Sequence, residues 1–185
     1  MDSATSRIVA DARSYATAGL VSRTLKNGRT LVVFTDFGCR YCKLLEDALL
    51  RIEEDSINGA TIVYRHFPLR GITFEAAAAA ECANVQGRFA DMKKVLFAGG
   101  QELGMRRWVD LAQEAGVPDT SAFAACLVDP RTVERVDADV KAGERLLLRG
   151  TPAVLVGATL YEGRPPEAVL REAVRRLPRM PNGRK

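Results

Sequence analysis

Leu31-Val32-Val33-Phe34-Thr35-Asp36-Phe37-Gly38-Cys39-Arg40-Tyr41-Cys42 is the stretch that decides the fold. Its first five residues form an unbroken apolar, β-branched run, which predicts a buried strand. Leu44, Leu45, Ala48, Leu49 and Ile52 then recur at helical spacing, so a helix over Cys39 to Ile52 starts at or near the cysteines. After the turn signal Asn58-Gly59, Thr61-Ile62-Val63-Tyr64-Arg65-His66-Phe67 reads as a second strand, halted by Pro68. Strand, helix, strand is a βαβ unit, which implies parallel strands and a right-handed crossover.

Outward from that unit the character changes. From Phe74 to about Leu148 the chain is alanine-rich and helical, with breaks at Gly99-Gly100, Gly116-Val117-Pro118 and Asp129-Pro130. The spacing predicts four or five helices, among them Phe74 to Val85, Arg88 to Phe97, Met105 to Ala115 and Arg131 to Leu147. The Ala76 to Ala80 run combines high helix propensity with room for close helix packing. Strand character resumes at Ala153 to Val156 and Thr159 to Tyr161 as an antiparallel hairpin around Gly157. Pro165-Pro166 opens a last helix ending near Leu177. Before the βαβ unit, Ile8, Val9, Ala12, Tyr15 and Leu20 fall at roughly helical spacing and predict an amphipathic helix over Ser3 to Ser22. The order is that of an α/β domain with an inserted all-helical subdomain.

Composition narrows the function. The chain has 185 residues, 47% hydrophobic and 27% charged, enough for one domain with a sizeable core. Its net charge of +4 is spread out and only 6% of residues are aromatic, which argues against nucleic-acid binding. No apolar run approaches the roughly 18 to 20 residues that span a bilayer, so the chain is not expected to be transmembrane.

Cys39-Arg40-Tyr41-Cys42 is the motif with chemistry in it. At a helix N-terminus the unpaired N–H groups and the macrodipole favour an anion, which lowers a thiol pKa. Cys39 can then stand exposed as a thiolate while Cys42, about a turn later, sits buried. That suits thiol–disulfide exchange, with Cys39 as nucleophile and point of attack and Cys42 as resolving thiol. Arg40 inside the loop should add to the thiolate's stability, unless it is simply solvated. A zinc site lacks ligands: the chain holds four cysteines and one histidine, His66, and a structural site needs four ligands in proximity. No metal and no cofactor is expected. Cys82 and Cys126, both on apolar helical faces, read either as small buried hydrophobes or as a second pair. His66, at a strand end, and Trp108 read as structural.

Several segments together resemble the DsbA-like thiol:disulfide oxidoreductases, the branch of the thioredoxin fold (βαβ…ββα) with an inserted helical domain. Phe34 to Cys42 is similar to the active-site strand and helix start, and Tyr64-Arg65-His66-Phe67-Pro68-Leu69 to the second strand and its exit. Ala79-Ala80-Glu81-Cys82-Ala83 with Gln86-Gly87-Arg88-Phe89 resembles the first inserted helix pair. Gly150-Thr151-Pro152-Ala153 looks like the loop that carries a cis-proline. The resemblance implies a division into an N-terminal helix and lead-in (1–30), a first thioredoxin-fold half with the CxxC (31–71), a helical insertion (72–148), a second half (149–177) and a flexible tail (178–185). It implies that Pro152 packs beside the cysteines and leaves Thr151 to pair with an extended substrate, that Arg40 and Tyr41 modulate the site, and that Cys82 and Cys126 form a structural disulfide. One departure is Val33, where the superfamily usually has a buried acid six residues before the first cysteine. Asp36 is a poorly placed substitute, better read as a loop residue.

The expected function is that of a dithiol oxidase introducing disulfides into exported proteins, acting on reduced or unfolded proteins and re-oxidised by a membrane quinone-linked partner. The alternatives are a reductase or isomerase of the same fold, kept reduced by a thiol reductant, and a redox-inert protein-binding or holdase module. Between Met1 and Thr30 there is no positive n-region followed by an apolar stretch of about 7 to 15 residues. A cytosolic protein or a removed signal would both give that. A structural disulfide beside a catalytic pair favours a periplasmic or otherwise exported protein.

Overall fold

The computed structural model describes residues 5–55 and 57–178. A six-stranded sheet carries the strands in the order β1-β6-β5-β3-β4-β2. They are β1 (Thr5–Ile8), β2 (Leu20–Val21), β3 (Thr30–Thr35), β4 (Thr61–His66), β5 (Ala153–Val156) and β6 (Thr159–Glu162). β3 and β4 run parallel, joined by helix α1 (Arg40–Glu54), and every other pairing is antiparallel. The sequence reading of βαβ followed by a hairpin thus holds, and this is the thioredoxin fold with a helical insertion.

Both faces of β3 are covered, which is why its sequence is continuously apolar rather than alternating. Leu31 and Val33 face α1, packing in one core with Leu45, Leu49 and Ile52, with Tyr64 of β4, and with Leu170 and Val174 of α7 (Glu167–Arg176). Val32 and Phe34 point the other way, into a second core with Leu155, Leu160, Ala142 and Leu146.

The insertion consists of α2 (Gly71–Val85), α3 (Phe89–Gly99), α4 (Trp108–Glu114), α5 (Thr120–Leu127) and α6 (Pro130–Arg145). α2 is its axis, packed against α3, α4, α5 and α6. Ala76 to Ala80 are all buried, so the alanine run is the small-side-chain surface that lets four helices approach one. α6 ends two residues short of the expected Leu147, because Leu147 takes a left-handed conformation at φ 54.

The N-terminal helix is a correction. Thr5 to Ile8 form a strand on the edge of β6, residues Ala12–Ala16 make a 3-10 turn, and Leu20–Val21 pair with β4. Helical spacing arose there from residues that serve different elements. Asp11 at φ 51 and Gly19 at φ 107 each break a helix, and a Cβ on Gly19 would lie 2.6 Å from the Tyr64 carbonyl oxygen. Two open sheet edges offered more backbone hydrogen bonds than an isolated amphipathic helix could recover. Apart from Pro178, the flexible tail expected at 178–185 lies outside the described residues.

Candidate active site

The end of β3 delivers the loop Asp36-Phe37-Gly38 to the start of α1, where Cys39 occupies the N-cap position. Asp36 fixes this loop. Its carboxylate is buried and accepts from the Gly38 N–H at 2.6 Å, from the Leu69 N–H at 2.7 Å and from the Thr73 hydroxyl at 2.9 Å. With its oxygens engaged this way, Asp36 is a loop fastener and not a stand-in for an acid at Val33. Gly38 is needed because a Cβ there would meet the Arg70 guanidinium and lie 2.7 Å from the Thr73 methyl.

Cys39 and Cys42 are both free thiols, the first half-buried and the second buried. The Cys39 thiol is lowered from the ordinary 9.0 to about 6. The leading cause is a hydrogen bond from the Cys42 thiol; partial burial opposes it, and the backbone N–H groups of Cys42 and Tyr41 and the Thr151 side chain add to it. No N–H caps the helix through the Cys39 side chain at strict hydrogen-bond geometry, so the backbone contribution is electrostatic, the helix N-terminus acting on a charge beside it. Cys42 is pushed well above 9.0, first by burial and then by its neighbour Cys39. The two thiols are therefore separated in acidity, as a nucleophile and a reserve thiol must be.

Arg40 is exposed, and its guanidinium lies over the Tyr41 ring, 5.2 Å from the centroid. The largest lowering of the Cys39 thiol comes from the Cys42 hydrogen bond, while the Arg40 guanidinium rests on the Tyr41 face. Tyr41 is half exposed beside it.

The second half of the chain closes the site. The Thr151–Pro152 peptide is cis, and the Thr151 carbonyl lies 3.4 Å from the Cys39 sulfur. The Thr151 hydroxyl is buried without a partner in strict geometry and bears on both sulfurs, lowering each. Beside this loop runs a groove of about 690 Å³, lined by Thr151 and Pro152 together with Leu147, Arg149, Arg7 and Thr5. Cys82 and Cys126 are joined to each other, linking α2 to α5.

Sequence reasoning missed two buried charge clusters. Lys93, 1% exposed, sits between Glu46 and Tyr64: its Nζ donates to the Tyr64 hydroxyl at 2.7 Å and pairs with the Glu46 carboxylate. Glu46, one turn beyond Cys42 on a helix face of Leu45, Leu49 and Ile52, was the available signal. The other cluster ties β4 to the insertion. Arg65 pairs with Asp139 at 2.6 Å, His66 with Glu81 at 3.3 Å, and Arg135 with Glu81 at 2.9 Å. His66, Glu81 and Asp139 offer ligand atoms within 4.8 Å of one another, yet each carboxylate already faces an arginine. Adding a cation to that balanced set would bury excess positive charge, so the cluster does not fit a metal. The His66 ring centroid lies 5.9 Å from that of Phe37 in the loop before Cys39. Trp108 donates to Glu75 at 2.8 Å and so has a structural partner.

A low-pKa thiol at a helix start, a buried second thiol one turn on, and a cis-proline loop against the first sulfur can do one thing well: exchange a disulfide with a partner chain. This places the protein among the thiol–disulfide oxidoreductases of thioredoxin fold. The chain belongs to the thioredoxin family, whose model matches residues 25–176. Among solved structures, it is similar to the thiol-disulfide exchange protein alpha-DsbA2 of Wolbachia pipientis (TM-score 0.78, 20% identity, 89% of each chain). It is similar also to a thioredoxin-like oxidoreductase of Silicibacter pomeroyi (TM-score 0.74, 25% identity, 90% of this chain and 97% of that one). Among curated relatives, it is 32% identical over 137 residues to a Na(+)/H(+) antiporter NhaA of Salinispora tropica, a match covering 72% of this chain and 21% of the antiporter. The chain thus spans about a fifth of that relative's length. Among the described residues no helix is long and apolar enough to cross a membrane.

Proposed function

We propose that the protein is a dithiol oxidase that introduces disulfides into exported proteins through Cys39 and Cys42. The observation that carries this reading is the geometry of the pair, with Cys39 half-buried at the start of α1 against the cis Thr151–Pro152 loop and Cys42 buried one turn on. This arrangement lowers the Cys39 thiol to about 6 and raises that of Cys42. A stabilised thiolate is a good leaving group and favours the reduced form of the pair, so the Cys39–Cys42 disulfide is the more oxidising.

In the proposed cycle a substrate thiolate attacks the Cys39 sulfur, the Cys39–Cys42 bond breaks, and Cys42 leaves and takes up a proton. A second substrate thiolate then attacks the substrate sulfur of the mixed disulfide and releases Cys39 as the thiolate. The substrate has lost two electrons and the pair has gained them. A membrane quinone-linked partner would take these electrons back, and a periplasmic or similar oxidising compartment supplies the setting. Thr151 and Pro152 would hold the extended substrate by main-chain pairing, which suits partners of varied sequence.

The test is the redox equilibrium of the Cys39–Cys42 pair against glutathione. A potential near about −120 mV supports the oxidase. One near about −270 mV, the range of thioredoxin, would make the protein a reductase kept reduced by another thiol carrier.

A further inference from the structure

Two features of the groove beside Thr151 are left over once folding is accounted for. Leu147 closes α6: its N–H donates to the Glu144 carbonyl at 2.8 Å and the Leu148 N–H to the Gly143 carbonyl at 3.1 Å. The residue between must be left-handed, which is why glycine usually stands there, and Leu147 does so at φ 54 while 76% exposed. Leu147 thus stands solvent-facing on the groove wall, where its side chain is free to meet a bound segment.

Two residues further, Arg149 is exposed and has no ion pair among the described residues. Arg7, in the same groove, is by contrast held by the Leu146 carbonyl and by Glu162 at 3.5 Å. At the start of α1, Arg40 lies over Tyr41, and Arg70 lies against Gly38 on the side that also faces the Asp36 carboxylate. One exposed arginine without an ion pair among the described residues, Arg149, thus stands on the groove wall, next to the Arg7–Glu162 pair that also lines it.

We propose that this groove selects cysteine-containing segments with an acidic side chain close to the cysteine. The inference rests on the thiol–disulfide exchange reading and names the substrate class of that same site. An extended chain rises about 3.3 Å per residue. A segment paired at Thr151 therefore sets a side chain about two residues from the pairing point over Arg149, with its apolar neighbours on Leu147. Arg40, exposed and next to Cys39 in the chain, adds positive charge on the approach to the site, which speeds encounter with acidic partners.

The test uses the disulfide form of the full chain and three matched dithiol peptides with Glu, Gln or Lys two residues from a cysteine. Each oxidation rate is divided by that of the same peptide with bis(2-hydroxyethyl) disulfide, which removes differences in the peptide's own thiol acidity. The Glu peptide is expected to react about tenfold faster than the Lys peptide at low ionic strength, with the ratio shrinking as salt is raised. Arg149→Glu is expected to reduce or invert the ratio, and because the ratio is taken within one protein, loss of folded material does not alter it. Equal rates for the three peptides overturn the inference and leave the oxidoreductase reading standing, and an unchanged ratio in Arg149→Glu overturns the assignment to this groove. Failure to oxidise even the Gln peptide overturns both.

Discussion

The Cys39 sulfur sits 3.4 Å from the Thr151 carbonyl oxygen, so a helix start and a proline loop 112 residues apart in sequence form one reactive unit. The thiolate this unit stabilises should form as pH rises through about 6. Thiolate absorbance of the reduced protein should step there, and Cys39→Ser should abolish the step. Because the folded-state value is depressed, the reduced protein gains stability as pH rises from about 6 towards 9.0 and loses it as pH falls through about 6. The disulfide form has no such term. Melting curves of the two forms should therefore shift in favour of the reduced one across that window, and parallel curves would contradict the assignment.

Removing the Thr151 hydroxyl should move the same titration. The hydroxyl is buried, makes no competing hydrogen bond in strict geometry and lowers both thiols, so Thr151→Val replaces it with a methyl group of similar size. The Cys39 titration is expected to climb from about 6 towards 9.0, and the Cys39–Cys42 disulfide to become less oxidising against glutathione. An unmoved titration would assign the lowering to Cys42 and the helix N-terminus alone.

The sequence made the reactive unit legible where local pattern and chemistry coincide. Leu31 to Thr35 has the continuous apolar, β-branched pattern of a buried strand, and helical spacing resumes at the CxxC that follows it. The N-terminus misled because Ile8, Val9 and Leu20 owe their positions to sheet edges supplied by β6 and β4, which no local window contains. The partners of Lys93 and Asp139 were hidden for the same reason. Glu46 and Tyr64 lie 47 and 29 positions before Lys93, and a buried charge can be read only with its partner. Asp36 was legible as a loop residue, but its role as fastener needed Leu69 and Thr73 from the far side of β4.

The Cys82–Cys126 bridge should act through the unfolded chain. It closes a loop of 44 residues between α2 and α5, for which loop-closure entropy gives about 4 kcal/mol as an upper bound. Cys82→Ala with Cys126→Ala should cost about 2 to 4 kcal/mol in urea unfolding and lower the melting temperature by about 10 °C. The bridge lies in the insertion and the reactive thiols at the end of β3, so the Cys39 titration in the variant should still fall at about 6. A titration that moved with the bridge would couple the insertion to the site.

The Lys93–Glu46 pair should be costly to break and only partly replaceable. Both side chains are buried, the Tyr64 hydroxyl and the buried Glu53 carboxylate belong to the same cluster, and the ammonium also lies 4.2 Å from the centre of the Tyr64 ring. Lys93→Met leaves Glu46 and Glu53 as buried like charges without their counter-ion, at about 3 to 5 kcal/mol, whereas Glu46→Leu leaves Lys93 facing Glu53 and should cost less. The double variant removes both charges and lets Leu and Met pack against Tyr64 but leaves Glu53 without Lys93, so it should recover part of the Lys93→Met loss. Urea unfolding of the two single variants and the double one measures the coupling directly. A Lys93→Met loss below about 1 kcal/mol would mean that water reaches the pair, since only exposed ion pairs are worth so little.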